Sequence, residues 1–342
     1  MSAFPWDRDA FDVWAATHVA GFCGPSVARK FDTGQSNPTY LIETPGGRYV
    51  LRRKPPGKLL KSAHAVDREF RVLVALHRAG FPVPNALALC EDESVIGSMF
   101  YLMEHVDGRI FWDPALPGLD LNARAAVYDA MNAVLARLHT IDIASAGLSD
   151  YGRPGNYFAR QLQRWSEQYR TSETRALPDV DRLIEWLGRH VPRDDGRVAL
   201  VHGDWRIDNM IFAHESPTLV AVLDWELSTL GHPHADLAYQ CMQWRLPHEG
   251  EFRGLAGIDH AALGIPFEAD YVAAYCKRTG LPGIRDWTFL IAFSFFRVAA
   301  IVQGVYRRAL DGNASNPERA RRMGEAVPMM ARLACETIDA NP

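Results

Sequence analysis

Three short apolar runs separated by polar breaks dominate the middle of the chain. Residues 198–201 are apolar and stop at His202, and a polar loop covers 202–209. Residues 210–213 are apolar again, 214–218 are turn-like, and 219–223 end at Asp224. This pattern predicts strand, loop and hairpin. If the last two runs pair antiparallel, Asn209 and Asp224 lie at the open end of the hairpin, with Asp204 in the loop beside them. Elsewhere a helical period runs over 7–22 through Phe11, Trp14, His18 and Phe22. Residues 27–53 read as strands, VARKF, YLIET and RYVLRR, with a PGG turn before the last. A helix is predicted over 63–79, capped by Ser62 and stopped by Gly80, Pro82 and Pro84. FYLME at 100–104 is a further strand. Helical patterns follow at 121–139, 157–169, 181–190, 267–280, 287–310 and 318–338, and the irregular stretch 246–266 is a candidate lid. Strands dominate to about residue 104 and helices after it. The expected class is α+β, with a β-rich lobe over 1–104 and a mainly helical lobe over 105–342.

A chain of 342 residues is long enough for two lobes. Its net charge of −4 gives nucleic-acid binding no support. The five cysteines are widely spaced with no CxxC, which argues against a zinc site or disulfide framework and for a reduced compartment. The first residues contain no apolar signal core, so a cytoplasmic protein is expected. The most apolar stretch, 288–306, carries Arg297 at its middle, and a central arginine is expensive in lipid. It is therefore predicted to be a buried core helix, with no membrane partner.

Asp204, Asn209 and Asp224 offer two carboxylates and an amide oxygen at one place, a hard oxygen site suited to Mg²⁺ and the phosphates it carries. In RYVLRR, alternation puts Val50 and Arg52 on one face and Leu51 and Arg53 on the other, so one of the two arginines points into a cleft. Glu69 falls within the apolar stripe of the next helix and needs a cationic partner, for which Arg52 is the best candidate. The loop containing Gly34, Gln35, Ser36 and Asn37 offers backbone N–H groups that would arch over phosphates, although it is not GxGxxG. Asp236 either caps its helix or braces the loop behind, and His232 and His234 read as loop residues without a third metal ligand.

HGDWRIDN followed by LDWE resembles the catalytic loop and metal-binding segment of the aminoglycoside phosphotransferase family, within the protein-kinase-like superfamily. The resemblance covers nearly the whole chain in order. A narrower likeness, in the stretch from YVLRRK to REFRVL and in GVYRRALDGNAS, is to kinase-like domains found alone in bacteria or fused to acyl-CoA dehydrogenases. The resemblance implies a two-lobed kinase-like fold and ATP with Mg²⁺ as cofactors. Asp204 would be the base that orients a substrate hydroxyl, Asn209 and Asp224 the Mg²⁺ ligands, and Arg206 a cation steadying the transferring phosphate. Arg52 would stand where a phosphate-anchoring lysine is usual, held by Glu69, and the backbone of Met103, Glu104, His105 and Val106 would meet adenine. The acceptor would be a small molecule bearing a hydroxyl. Arg297, Arg307, Arg308, Arg319, Arg321 and Arg322 crowd the last third of the chain and suggest that it is anionic, with a hydroxyacyl-CoA as first candidate. A monomer or homodimer is expected. The alternatives are a metal-dependent phosphohydrolase and a nucleotide-binding pseudokinase.

Overall fold

The computed structural model of the chain describes residues 5–31, 37–55, 65–312 and 316–340. Its first lobe is a five-stranded antiparallel sheet of β1 (Val27–Lys30), β2 (Thr39–Thr44), β3 (Gly47–Arg53), β4 (Ala86–Cys90) and β5 (Phe100–Glu104), in the order β1-β2-β3-β5-β4. Alternation along β3 and β5 builds two different cores. Leu51, Phe100 and Leu102 pack with Phe11 and Ala15 of α1 (Arg8–His18), whereas Val50, Tyr101 and Met103 pack with Val72, Leu73 and Leu76 of α2 (Val66–Arg78). Helices therefore cover both faces of the sheet. The Asp7 side chain caps α1 by accepting from the Ala10 amide. Ser62 and Ala63, the expected start of α2, lie outside the described residues, and within them the helix begins at Val66.

The second lobe holds α3 (Leu121–His139), α4 (Tyr157–Ser172), α5 (Pro178–Arg189), β6 (Ala199–Val201), β7 (Met210–Phe212), β8 (Leu219–Val222), β9 (Thr229–Gly231), α6 (His234–Cys241), α7 (His260–Leu263), α8 (Glu268–Thr279), α9 (Trp287–Leu310), α10 (Pro317–Gly324) and α11 (Ala326–Asp339). The expected hairpin forms from β7 and β8, and β6 pairs with β9. Helix α9 is long and apolar enough to cross a membrane, but 89% of its most apolar window is buried inside the protein. It packs against α4, α6, α10 and α11 as a central core helix.

Four elements differ from the sequence reading. The helix expected over 318–338 is two helices, α10 and α11, meeting at Glu325. Gly324 lies against the Tyr306 ring, where an added Cβ would come within 2.4 Å, so α10 reaches α9 only through a glycine. Strands β4 and β9 were not anticipated, since a five-residue and a three-residue run carry too little pattern to stand out. The irregular segment 246–266 contains the short helix α7.

Candidate active site

The polar loop after β6 is fixed from behind. Asp236, fully buried in the first turn of α6, accepts from the backbone amides of His202 at 2.6 Å and Gly203 at 2.8 Å. His139 Nε2 lies 3.3 Å from the same carboxylate. Burial alone would push the Asp236 carboxyl up, but His139, His202 and the Gly203 amide outweigh it and hold it below the usual carboxylate range. Gly203 takes φ +84°, and a Cβ there would meet the Leu227 carbonyl oxygen at 2.7 Å, so the turn requires glycine. The buried His202 contacts the Leu223 carbonyl through Nε2 at 2.8 Å and ties the loop to the end of β8. His202 and Asp236 are thus braces.

This frame presents Asp204. A single 3₁₀ turn, Ile207–Asn209, folds Asn209 back so that its Nδ2 donates to the Asp204 carbonyl and to Oδ2, both at 2.9 Å. The Tyr239 hydroxyl donates to Oδ1 at 2.7 Å. Arg206 Nε lies 3.1 Å from Oδ1, and its Nη2 lies 3.3 Å from Asp208. Burial raises the Asp204 carboxyl, and Arg206, Tyr239, His202 and Asn209 together bring it below the ordinary range, leaving an ionised, oriented carboxylate. The three expected acceptors therefore do not gather as equals. Asp204 has its oxygens engaged, and Asn209 spends both amide hydrogens on Asp204, which leaves Oδ1 to meet a cation. Arg206 is turned onto Asp204 and Asp208, so this geometry assigns it to holding the carboxylate, where a phosphate contact was expected.

Arg52 enters from the first lobe on the α2 face of the sheet. Its Nε lies 2.8 Å from Glu69, and its Nη2 lies 2.7 Å from Asp224 and 3.2 Å from Glu226. Arg53, on the opposite face, bonds Ser98 Oγ at 2.9 Å and stacks on Trp6, which settles which of the pair faces the cleft. The buried Glu69 also accepts from Tyr101 Oη at 3.0 Å and Asn37 Nδ2 at 3.1 Å. Asn37, expected among the phosphate-loop contacts, is buried with its amide on Glu69; Gly34, Gln35 and Ser36 lie outside the described residues. Asp224 sits at φ +63°, a left-handed conformation unusual for a side-chain-bearing residue and frequent at functional turns. Glu69, Asp224 and Glu226 bring carboxylate oxygens within 4.8 Å of one another. With the amide oxygen of Asn209, this all-oxygen set has the chemistry that Mg²⁺ prefers.

Of these groups, Arg52, Tyr101, Arg206, Asp208, Asn209, Asp224 and Tyr239 line a cleft of about 780 Å³ between the lobes. Val50, Arg52, Met103, Glu104, His105 and Val106 line its first-lobe side, and Asp208, Asn209 and Asp224 its floor. The amide of Glu104 is already bonded to the Asn85 carbonyl at 2.9 Å, so it does not face a ligand; His105 and Val106 continue along the wall. Beyond Trp205 and Tyr239 the cleft extends into the second lobe along Met242, Leu246, Phe252 and α9. The sequence reading missed Glu226 and Tyr239. The first stands two after Asp224 in DWE, and the second stands one helical turn after Asp236, on the same side of α6.

The model of the phosphotransferase enzyme family matches residues 27–287. Among curated proteins, the chain is 51% identical over 312 residues to acyl-CoA dehydrogenase family member 10 of Mus musculus, covering 91% of this chain and 29% of that protein. It is 42% identical over 318 residues to acyl-CoA dehydrogenase family member 11 of Rattus norvegicus, covering 92% of this chain and 41% of that protein. The chain thus spans less than half the length of these two relatives. Among solved structures, a candidate aminoglycoside phosphotransferase from Ralstonia eutropha JMP134 superposes with a TM-score of 0.88 at 49% identity, over 98% of this chain and 99% of that one. Spectinomycin phosphotransferase in complex with ADP and spectinomycin shares the fold, with a TM-score of 0.63 at 12% identity over 96% of this chain and 98% of that one. The two-lobed architecture is therefore the kinase-like one, and the chain belongs to the phosphotransferase enzyme family.

Proposed function

We propose that this chain is an ATP- and Mg²⁺-dependent kinase that phosphorylates a hydroxyl of a small anionic metabolite, with a hydroxyacyl-CoA thioester as the leading acceptor. The observation that carries the reading is the wall of the cleft beyond Asp204. Met242, Leu246, Phe252, Val298, Ile301 and Met323 make it apolar. Among the described residues its cations are Arg253, which lies 3.4 Å from Asp113, and Arg319, and its carboxylate outside the catalytic loop, Glu251, is engaged by Arg319 at 2.9 Å. An acyl chain with an anionic end suits such a wall, and a polycation does not. Most of the arginines counted in the sequence are not at this wall: Arg307 pairs with Asp311, and Arg297 is buried beneath Tyr239. The fusion of related domains to acyl-CoA dehydrogenases points the same way.

In this reading the work of the protein is alignment and charge neutralisation. Asn209 Oδ1 and Asp224 would hold Mg²⁺, which supplies charge neutralisation at the phosphates when bound. Arg52, aimed by Glu69, would exchange Asp224 and Glu226 for phosphate oxygens. Asp204 would accept a hydrogen bond from the acceptor hydroxyl and take its proton as the new P–O bond forms and the bond to ADP breaks. His105 and Val106 would offer backbone groups to adenine.

The test is acceptor-dependent ADP release across a panel of hydroxyacyl-CoAs and cationic amino alcohols. Turnover with the former and none with the latter is expected. Asp204→Asn should bind ATP as the wild type does in a thermal-shift titration while losing at least about 10²-fold in turnover. Near-normal turnover in that variant rejects the assignment of the base, and turnover confined to the cationic acceptors rejects the acceptor class.

A further inference from the structure

Arg297 is 5% exposed, near the middle of the long core helix α9, and among the described residues it has no carboxylate and no hydrogen-bond partner. Its guanidinium lies between two aromatic rings, 5.6 Å from the centroid of Trp165 and 5.5 Å from that of Tyr239. Arg164, one residue before Trp165 on α4, stands over the same Trp165 ring at 5.1 Å and likewise has no carboxylate partner among the described residues. Two guanidinium groups thus share one indole. Partial burial and the charge of Arg297 hold Arg164 below the usual arginine range. The acidic groups near this cluster are committed elsewhere. Asp204 serves Arg206, Asn209 and Tyr239, and Asp236 serves His139 and two backbone amides.

Aromatic faces attract a cation but replace only part of the solvation lost on burial. A second positive charge nearby adds to the cost. The fold nevertheless maintains this arrangement one tyrosine ring away from the base, since the hydroxyl of Tyr239 is the group bonded to Asp204 Oδ1. An incoming oxyanion would supply the missing counter-charge to a planar donor fork already oriented by its flanking rings.

We infer that Arg297 and Arg164, with Trp165 and Tyr239 as walls, form an oxyanion seat that receives a phosphate or carboxylate group of the acceptor beside the catalytic base. The seat rests on the proposed function only for the identity of the molecule that carries the anion. Occupying it places the acceptor against Tyr239, which already fixes the base, so anion recognition and hydroxyl alignment act through neighbouring groups.

The seat is tested by titrating inorganic phosphate, and separately acetate, calorimetrically into the full chain saturated with a non-hydrolysable ATP analogue, so that the nucleotide cleft is filled. Saturable binding is expected, tighter for phosphate. It should weaken at least tenfold in Arg297→Met, recover in part in Arg297→Lys, and weaken several-fold in Arg164→Met, whose site lies at the protein surface. In the kinase assay, Arg297→Met should raise the KM for an anionic acceptor at least tenfold and leave the KM for ATP unchanged. Absence of saturable binding in the wild type, or binding in Arg297→Met and Arg164→Met equal to that of the wild type, overturns the seat. If phosphate binding falls in the variants but the acceptor KM does not move, the assignment of the seat to the acceptor is overturned. Loss of all kinase activity in the wild type, with phosphate binding retained, refutes the proposed function and leaves the oxyanion site standing.

Discussion

Arg52 is largely buried and Arg297 fully so, and the protein surrounds the two guanidinium groups in opposite ways. Arg52 meets Glu69, Asp224 and Glu226 within 3.2 Å, so its charge is more than matched. Arg297 meets Trp165 and Tyr239 and no acid among the described residues. The first arrangement is self-contained: the cation crosses between the lobes, joining a strand and helix of the first to the turn after β8 in the second. The second is incomplete without a ligand. Removing one partner from a matched buried cluster is costly because it strands the others, whereas a buried charge with no partner is itself a cost that its removal relieves. Truncation should therefore have opposite effects at the two sites. Arg297→Met should not lower the unfolding temperature of the ligand-free chain, because it removes an unpaired charge and keeps the volume.

The largest expected effect comes from breaking the first site. Arg52→Met would leave Glu69, Asp224 and Glu226 facing one another without their cation. Loss of one partner from a buried ionic cluster costs about 3–5 kcal/mol, and turnover should fall below detection. Urea unfolding and ADP release measure the two. A variant as stable as the wild type would show that the cage does not support the fold, and the contrast with Arg297 would collapse.

Asp236 sharpens the comparison, because its buried charge is met largely by backbone amides and a histidine in place of a strong cation. Its carboxyl is held below the usual range in the folded state. The stabilisation is then fully present above the unfolded aspartate value, about 3.9, and is lost as pH falls through the lower folded value. Wild-type stability should drop steeply below about pH 4. Asp236→Asn should lose about 2–3 kcal/mol at neutral pH, from the charge-assisted bonds, and show a flatter acid limb in urea unfolding below about pH 4. An unchanged acid limb would mean that Asp236 does not couple the loop to protonation.

The long elements were readable because their signals repeat. Residues 121–139 supply several turns of apolar period and are helical over that whole span, and the carboxylate of Glu69 within an apolar stripe pointed to Arg52 as its partner, which lies 2.8 Å away. The loop carboxylates were readable for a different reason: apolar runs bracket them and define where the strands end. What escaped depends on contacts between segments distant in sequence. Arg52 and Asp224 are 172 positions apart, so the strand pattern could not reveal that Glu226 completes the cage. Tyr239 looked like another apolar position of a buried helix, and only the packing of α6 against the loop brings its hydroxyl to Asp204. The partnerless state of Arg297 is likewise invisible in sequence, where its neighbours in space do not appear.

The smallest effect belongs to Tyr101, which stands opposite Arg52 on β5 and donates to Glu69 at 3.0 Å. Burial pushes Glu69 up, and Arg52, Tyr101 and Asn37 pull against it. Tyr101→Phe removes one donor and keeps the ring, so Glu69 retains Arg52 and Asn37. The loss should be about 1 kcal/mol, that of a single hydrogen bond whose acceptor keeps other partners. Because Glu69 aims Arg52, the KM for ATP should rise a few-fold with kcat nearly unchanged, readable from initial rates at varied ATP. Were the loss as large as that of Arg52→Met, Tyr101 would be a main support of the cage, and the balance of this site would rest on neutral donors as it does around Asp236.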